Sequence, residues 1–202
     1  MAAAFSAAVL LPACVHTEEE AYAAQLEQTI NSIAPQLQQL GARNWIIIAD
    51  PSYPIPAGSG TQTMVVSTGS TDTFREVLDL IEVQGALTPR IWVCNEMEAV
   101  TDDLAPGMEE YNKQIESLTS GRFCYRLDER IISSQVAEAA RNFRVLFIKT
   151  TTQLPYSAIA IELDSGYWNS DAETEIRKRL NELQPEPQPQ KNKKSGNSKK
   201  RR

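Results

Sequence analysis

Three short stretches of this chain carry side chains that could move a proton or hold a hydroxyl-rich ligand. In Ile46-Ile47-Ile48-Ala49-Asp50-Pro51-Ser52-Tyr53-Pro54-Ile55-Pro56, an apolar run rich in β-branched residues stops at one carboxylate, and a Pro-rich turn follows at once. A buried strand that delivers an Asp to its C-terminal end is where open α/β sheets place their ligand sites. The plainer role for such an Asp is to cap a turn. The second stretch, Ile91-Trp92-Val93-Cys94-Asn95-Glu96-Met97-Glu98, runs from a strand-like segment into two carboxylates. These can orient a ligand or cap a helix start. The third, Leu154-Pro155-Tyr156-Ser157-Ala158-Ile159-Ala160-Ile161-Glu162-Leu163, enters a strand from a Tyr-Ser turn. Trp45, Tyr53, Tyr156, Tyr167 and Trp168 offer flat apolar faces.

The elements that must position these residues are legible from periodicity. Thr17 with Glu20 reads as a capping box. Tyr22, Leu26, Ile30, Ile33 and Leu37 then follow at helical spacing, ending near Gly41. Strands are expected at Trp45–Ala49, Thr63–Ser67, Arg90–Cys94, Phe123–Tyr125, Arg144–Lys149 and Ile159–Leu163, with a Pro/Gly/Ser loop over Pro51–Gly60. Thr73 is the expected cap of a helix carrying Phe74, Val77, Leu78 and Ile81. Pro106 is the expected start of one carrying Met108, Tyr111, Ile115 and Leu118. Ile132, Val136, Ala139 and Phe143 mark a fourth helix, which Asp128 is placed to cap. Ser170 with Glu173 should cap a last helix bearing Ile176, Leu180 and Leu183. Strands alternating with helices predict an α/β fold, a three-layer α/β/α sandwich with a largely parallel sheet.

Charge and composition narrow the classes. The net charge is −6 over 202 residues, but from Pro185 onward seven Lys/Arg face one Glu, so the rest of the chain stands at −12. That body is a poor nucleic-acid surface. The segment 185–202 is a Pro/Gln/Lys/Asn/Ser tail that cannot bury enough surface to fold. Cys14, Cys94 and Cys124 have no CxxC spacing, and the one His, His16, lies far from the three stretches, so no metal site is expected. Residues 1–16 read as a signal or lipoprotein segment, in which Met1 to Ala13 are small and apolar. They end in Leu11-Pro12-Ala13-Cys14, a box that looks like a lipoprotein cleavage site with Cys14 as the lipidated residue, although no Lys or Arg precedes it. Two localisations stay open: export with a lipid anchor at Cys14, the one route to a membrane, or a cytoplasmic chain. The folded domain is expected over 17–184.

Together the three stretches resemble the D-ribose pyranase and L-fucose mutarotase family (RbsD/FucU). That family reads Gly-His, a strand ending in Asp, a Pro-Ile-Pro-like turn, an Asn-Glu-Met segment, and Pro-Tyr-Ala-Asn running into a last strand. The resemblance covers about residues 35–168. It implies an RbsD-like sandwich, a monosaccharide ligand, ring-shaped homo-oligomers, and interconversion of sugar ring or anomeric forms without a cofactor. One group must take a proton from the anomeric hydroxyl and another must give one to the ring oxygen. The departures fall on those groups. Gly41-Ala42 stands where the family has Gly-His. Asp128 stands where it has a second His, and Tyr156-Ser157-Ala158 where it has Tyr-Ala-Asn.

Asp50, Asp128 and Tyr156 are therefore the catalytic candidates, and Arg43, Asn44, Tyr53, Glu96 and Ser157 the substrate-binding ones. Position 42 is expected to face the same cleft as Asp50. Losing both imidazoles implies weak or lost activity. The alternative is a non-catalytic sugar- or glycan-binding subunit of an oligomeric assembly, with the Pro54-Ile55-Pro56 turn and Tyr167-Trp168 as candidate contacts.

Overall fold

Residues 17–183 are described by the structure, a computed structural model. The Leu11–Cys14 box with its lipidation candidate Cys14, His16 and the basic run from Pro185 lie outside them. Thr17 opens α1 (Glu18–Leu37) as its spacing predicts. Its hydroxyl accepts the Glu20 N–H at 3.2 Å, and the Glu20 carboxylate accepts the Thr17 N–H at 3.0 Å. Only the later half of the apolar stripe is buried. Ile33 and Leu37 are in the core while Tyr22 is exposed, and Thr29 takes a buried place instead.

The strand expected at Trp45–Ala49 is β1, residue for residue, and all five of its residues are buried. Fully burying one isoleucine side chain contributes roughly 1.5–3 kcal/mol. A carboxylate at Ile47, which is 1 % exposed, would therefore break the centre of the sheet. β2 (Thr61–Val65) starts two residues before the expected strand. The cause is tertiary: Gly60 packs so tightly on the end of a later helix that a side chain there would collide with the Phe143 carbonyl, and pairing with the neighbouring strand starts at once.

α2 (Ser70–Gln84) also starts early, with Gly69 rather than Thr73 as its cap. The Ser70 N–H is satisfied by the Thr152 hydroxyl at 2.8 Å, a cap supplied from 82 residues away and invisible to local reading. Thr73 sits in the first turn, returning its hydroxyl to the Gly69 carbonyl. The remaining elements are β3 (Leu87–Cys94), a 3₁₀ turn (Asn95–Ala99), α3 (Met108–Thr119), β4 (Cys124–Leu127), α4 (Glu129–Asn142), β5 (Val145–Lys149) and β6 (Ile159–Ser165).

The chain divides into two compact units, Met1–Tyr167 and Trp168–Arg202. The second carries α5 (Ser170–Leu183). Its cap is Asn169, whose side chain accepts the Ala172 N–H at 2.8 Å, rather than the expected Ser170. Among the described residues no helix is long and apolar enough to cross a membrane.

The first unit holds one six-stranded sheet, in the order β2-β5-β1-β6-β3-β4. The pairs β2·β5, β5·β1 and β3·β4 are parallel, and β6 runs antiparallel to both of its neighbours. The sheet is thus largely parallel, with one reversed strand near its middle. Side chains alternate between two cores. Ile46, Ile48, Leu146 and Ile148 face α1, α2 and α3, whereas Trp45, Ile47, Val145 and Phe147 face α4. This is the expected α/β/α sandwich. The topology has one consequence for function. Because β6 is reversed, its entry lies at the same edge as the carboxyl ends of the other five strands. Residues 50, 95, 128, 150 and 158 all leave or enter the sheet there.

Candidate functional site

A cleft of about 570 Å³ opens at that edge. Asp50, Tyr53, Tyr156 and Ser157 line it, so four of the eight candidates meet although more than a hundred residues separate the first from the last. Cys94, Glu129 and Gln153 line it too. Parallel sheets place ligands at this edge because loops there converge without interrupting the ladder.

Asp50 follows β1 directly and closes a turn. Its Oδ1 accepts the Ser52 N–H at 2.7 Å and the Ser52 hydroxyl at 2.5 Å. The turn-capping role is therefore real, and it leaves Oδ2 free to address the cleft. Lys149, at the end of β5, holds the same turn. Its ammonium donates to the Pro51 carbonyl at 3.2 Å and to the Tyr53 carbonyl, and it stands 5.9 Å from the Tyr53 ring centre. Burial pushes the Tyr53 phenol up; its hydrogen bond with Ser133 opposes this, and the neighbouring Glu129, Cys94 and Asp50 add to it. The phenol stays protonated across the neutral range.

Tyr156 is held at φ 56°, in the left-handed region that bulky residues rarely adopt. Such a conformation costs on the order of 1–2 kcal/mol, and it lifts the ring into the mouth of the cleft, where the residue is 45 % exposed. Ser157 beside it is buried, and its groups are spent. The hydroxyl donates to the Leu154 carbonyl at 2.7 Å, and its carbonyl accepts the Tyr111 hydroxyl at 2.6 Å. Ser157 thus fixes the turn that presents Tyr156.

Glu129 is the first residue of α4, where the helix dipole favours a carboxylate. Its Oε1 accepts the Ser133 hydroxyl. In the sequence Glu129 is masked by Asp128 next to it, the stronger cap residue. The available signal was the first-turn position after a strand ending at the same edge. Cys94, read as an ordinary buried thiol, does line the cleft. Burial raises its pKa to about 12, with Glu96, Glu129 and Asp128 adding to the effect. It is a protonated, unreactive wall.

The other four candidates are placed elsewhere or otherwise engaged. Asp128 caps α4: its Oδ1 accepts the Arg130 N–H at 2.9 Å, and the Arg130 guanidinium clamps both oxygens at 2.9 and 2.7 Å. That bond and the adjacent charge hold its carboxyl at about 2. A carboxylate so stabilised does not shuttle protons near neutrality, and it lines a separate hollow with Arg130 and Ile131. Glu96 does cap a helix start, but that of α4. Both its oxygens accept the Glu129 N–H, at 3.0 and 3.1 Å.

Arg43 and Asn44 precede β1, and five residues of strand, about 16 Å, separate them from Asp50. The Arg43 N–H donates to the Leu163 carbonyl, and the Asn44 side chain accepts the Arg144 N–H at 3.0 Å. Ala42 lies at the same far end and lines a different hollow, together with Tyr167. The expectation that position 42 shares the cleft with Asp50 is thus corrected within one copy of the chain. Trp45 belongs to the core, in ring contact with Trp92 at 5.3 Å. Among the described residues no three metal-ligating side chains gather into a cluster.

No protein-family model matches the chain, and no curated protein matches it. Among solved structures it is similar to Bacillus subtilis RbsD complexed with D-ribose, at 18 % identity and a TM-score of 0.47, covering 66 % of this chain and 91 % of that one. It is also similar to the fucose mutarotase from Streptococcus pneumoniae in complex with L-fucose, at 16 % identity and a TM-score of 0.46, covering 68 % and 94 %. FucU from Bifidobacterium longum aligns at 14 % identity and a TM-score of 0.44, covering 66 % and 94 %.

Proposed function

We propose that the cleft at Asp50 binds a monosaccharide and supports slow interconversion of its ring or anomeric forms. One observation carries the reading. The three stretches whose residues resemble the mutarotase pattern are far apart in sequence, yet their ends converge on one cleft that presents a carboxylate and two tyrosines. In the proposed step the Asp50 carboxylate takes the proton of the anomeric hydroxyl. The bond from C1 to the ring oxygen breaks, its electron pair stays on that oxygen, and the Tyr156 hydroxyl supplies the proton. A C1 carbonyl forms, and closure on its other face reverses each transfer. Proton transfer of this kind needs only a positioned acid and base, so no cofactor is invoked. A phenol is a weak acid for the role, and neither position matching a family histidine supplies a second group. Both facts favour slow turnover.

Saturation-transfer NMR against a panel of aldoses tests the binding, and exchange spectroscopy on their anomers tests the chemistry. Transfer to at least one aldose, with exchange modestly above the uncatalysed rate, is expected. Absence of transfer to every aldose would overturn the reading.

A second reading, a sugar- or glycan-binding subunit without catalysis, is favoured by the Arg130 clamp on Asp128 and by Ala42 at the far end of β1. On either reading the chain is proposed to self-associate. The support is the resemblance, together with Ile55 and Tyr167, which are 40 % and 83 % exposed. Light scattering should return a multiple of 22.5 kDa; a monomer at micromolar concentration counts against it.

A further inference from the structure

The charges around the cleft are one-sided. Asp50 and Glu129 line it, and no Lys, Arg or His does among the described residues. Each carboxylate is only partly satisfied. Asp50 takes two bonds from Ser52 on Oδ1, Glu129 takes the Ser133 hydroxyl on Oε1, and among the described residues no ion pair reaches either. The cations on the adjoining segments are already engaged. Lys149 is tied to the Pro51 and Tyr53 carbonyls, and Arg130 is clamped on Asp128. Glu96, spent on the α4 cap, adds a further negative charge behind Glu129.

A half-buried carboxylate with acceptor capacity left over interacts more strongly with a cation than an exposed one does, because less water screens it. An ammonium donating to such an oxygen forms a charge-assisted hydrogen bond. The same field opposes an anion, which is how a site rejects a wrong ligand. The exposed face of Tyr156 adds a surface over which a cation is favoured.

Resting on the monosaccharide reading above, we infer that the cleft selects amino sugars, with Glu129 receiving the ammonium group and the Asp50 charge reinforcing its attraction. Neutral aldoses are then second-best ligands, and uronates and sugar phosphates are excluded.

The experiment compares matched ligands by titration calorimetry on the full chain at about pH 6, where an amine of pKa near 8 is charged. The gluco, galacto and manno series each supply the free amino sugar, its N-acetyl derivative and the neutral parent. Glucuronate supplies the anion, and ethanolamine an amine without a ring. In at least one series the amino sugar should bind about tenfold tighter than its parent and its N-acetyl form, with glucuronate weakest. That advantage should shrink in Glu129→Gln and in Asp50→Asn, each confirmed folded by circular dichroism. It should also shrink for the unaltered chain as salt is raised to about 0.5 M.

Equal affinity for the amino sugar and its parent, or tighter binding of the anion, overturns the selectivity and leaves the monosaccharide reading standing. Ethanolamine binding as tightly as the amino sugar overturns it as well, because the ring would then contribute nothing. Binding of no sugar at all overturns both.

Discussion

The two ends of β1 carry similar residue types and do opposite things. At the amino end, Arg43 and Asn44 are polar and adjacent to a motif position, yet their main-chain groups and the Asn44 side-chain oxygen serve the sheet. The Arg43 and Leu163 amides and the Asn44 side chain close the junctions to β6 and β5, and the Arg43 guanidinium lies 6.0 Å from the Phe143 ring centre. At the carboxyl end, Asp50 spends one oxygen on its own turn and keeps the other. Polar type and sequence proximity do not make a site residue. What distinguishes the two ends is which edge of the sheet they reach: the carboxyl end opens on the cleft where the loops converge, whereas Arg43 lines a separate hollow.

The sharpest way to break this contrast is to neutralise the carboxyl end. Asp50→Asn keeps a turn acceptor and removes the base, so anomer exchange should fall back to the uncatalysed rate while the thermal midpoint moves little. Exchange spectroscopy and a melting curve on the same sample measure both. Ala42→His is the counterpart at the amino end. Within one copy its imidazole cannot reach the cleft, so exchange should not rise. A clear gain would mean that a neighbouring copy brings its amino end to this one's cleft.

A smaller effect on binding, and almost none on stability, is expected at Tyr156. Tyr156→Gly relieves a left-handed backbone but adds chain entropy in the unfolded state; the two terms are each about 1 kcal/mol and opposite in sign. Sugar affinity should drop roughly tenfold through loss of the ring's contact area, with denaturant midpoints nearly unchanged. A strong destabilisation would show that the ring is a structural prop and not a presented ligand contact.

The amino end should respond the other way round. Asn44→Ala removes the acceptor for the Arg144 N–H and should cost about 1 kcal/mol of stability, as a typical hydrogen bond does. It should leave saturation transfer to sugars intact. Loss of sugar binding in a stable Asn44→Ala protein would return the amino end to the site.

How much of this was legible follows the same line between local and distant causes. The Thr17–Glu20 box was readable because both of its hydrogen bonds lie within three residues, and the Trp45–Ala49 strand because a short unbroken apolar run marks a buried strand whatever it pairs with. The early start of α2 was not, because the group that satisfies the Ser70 amide is Thr152. The reversed β6 was not either. An apolar strand pattern has no direction, and only the registers, from Trp45 with Glu162 to Ile48 with Ile159 and from Leu87 with Ser165 to Val93 with Ile159, show its sense. At the site, Asp50 and Tyr156 stood out by their surroundings. Glu129 and Lys149 did not, since their roles come from elements that meet only in the folded sheet.

The smallest expected effect concerns Asp128, which the cleft excludes and the helix uses. The Arg130 side-chain and backbone hydrogen bonds hold its carboxyl at about 2, below the ordinary 3.8. A group whose folded pKa is depressed contributes stability that is fully present above its unfolded value and is lost as pH falls through the folded one. The window is therefore from about 3.8 down to about 2. Asp128→Asn keeps the cap acceptor for the Arg130 N–H and removes only the titrating charge. The mutant should match the parent's acid slope above this window and show a shallower loss within it. Added salt should narrow the difference, because the pair lies at the surface. Urea unfolding at pH steps from about 5 to about 2 measures both slopes. Superimposable curves would mean that the clamp is not formed in solution, and Asp128 would then be available as a proton carrier after all.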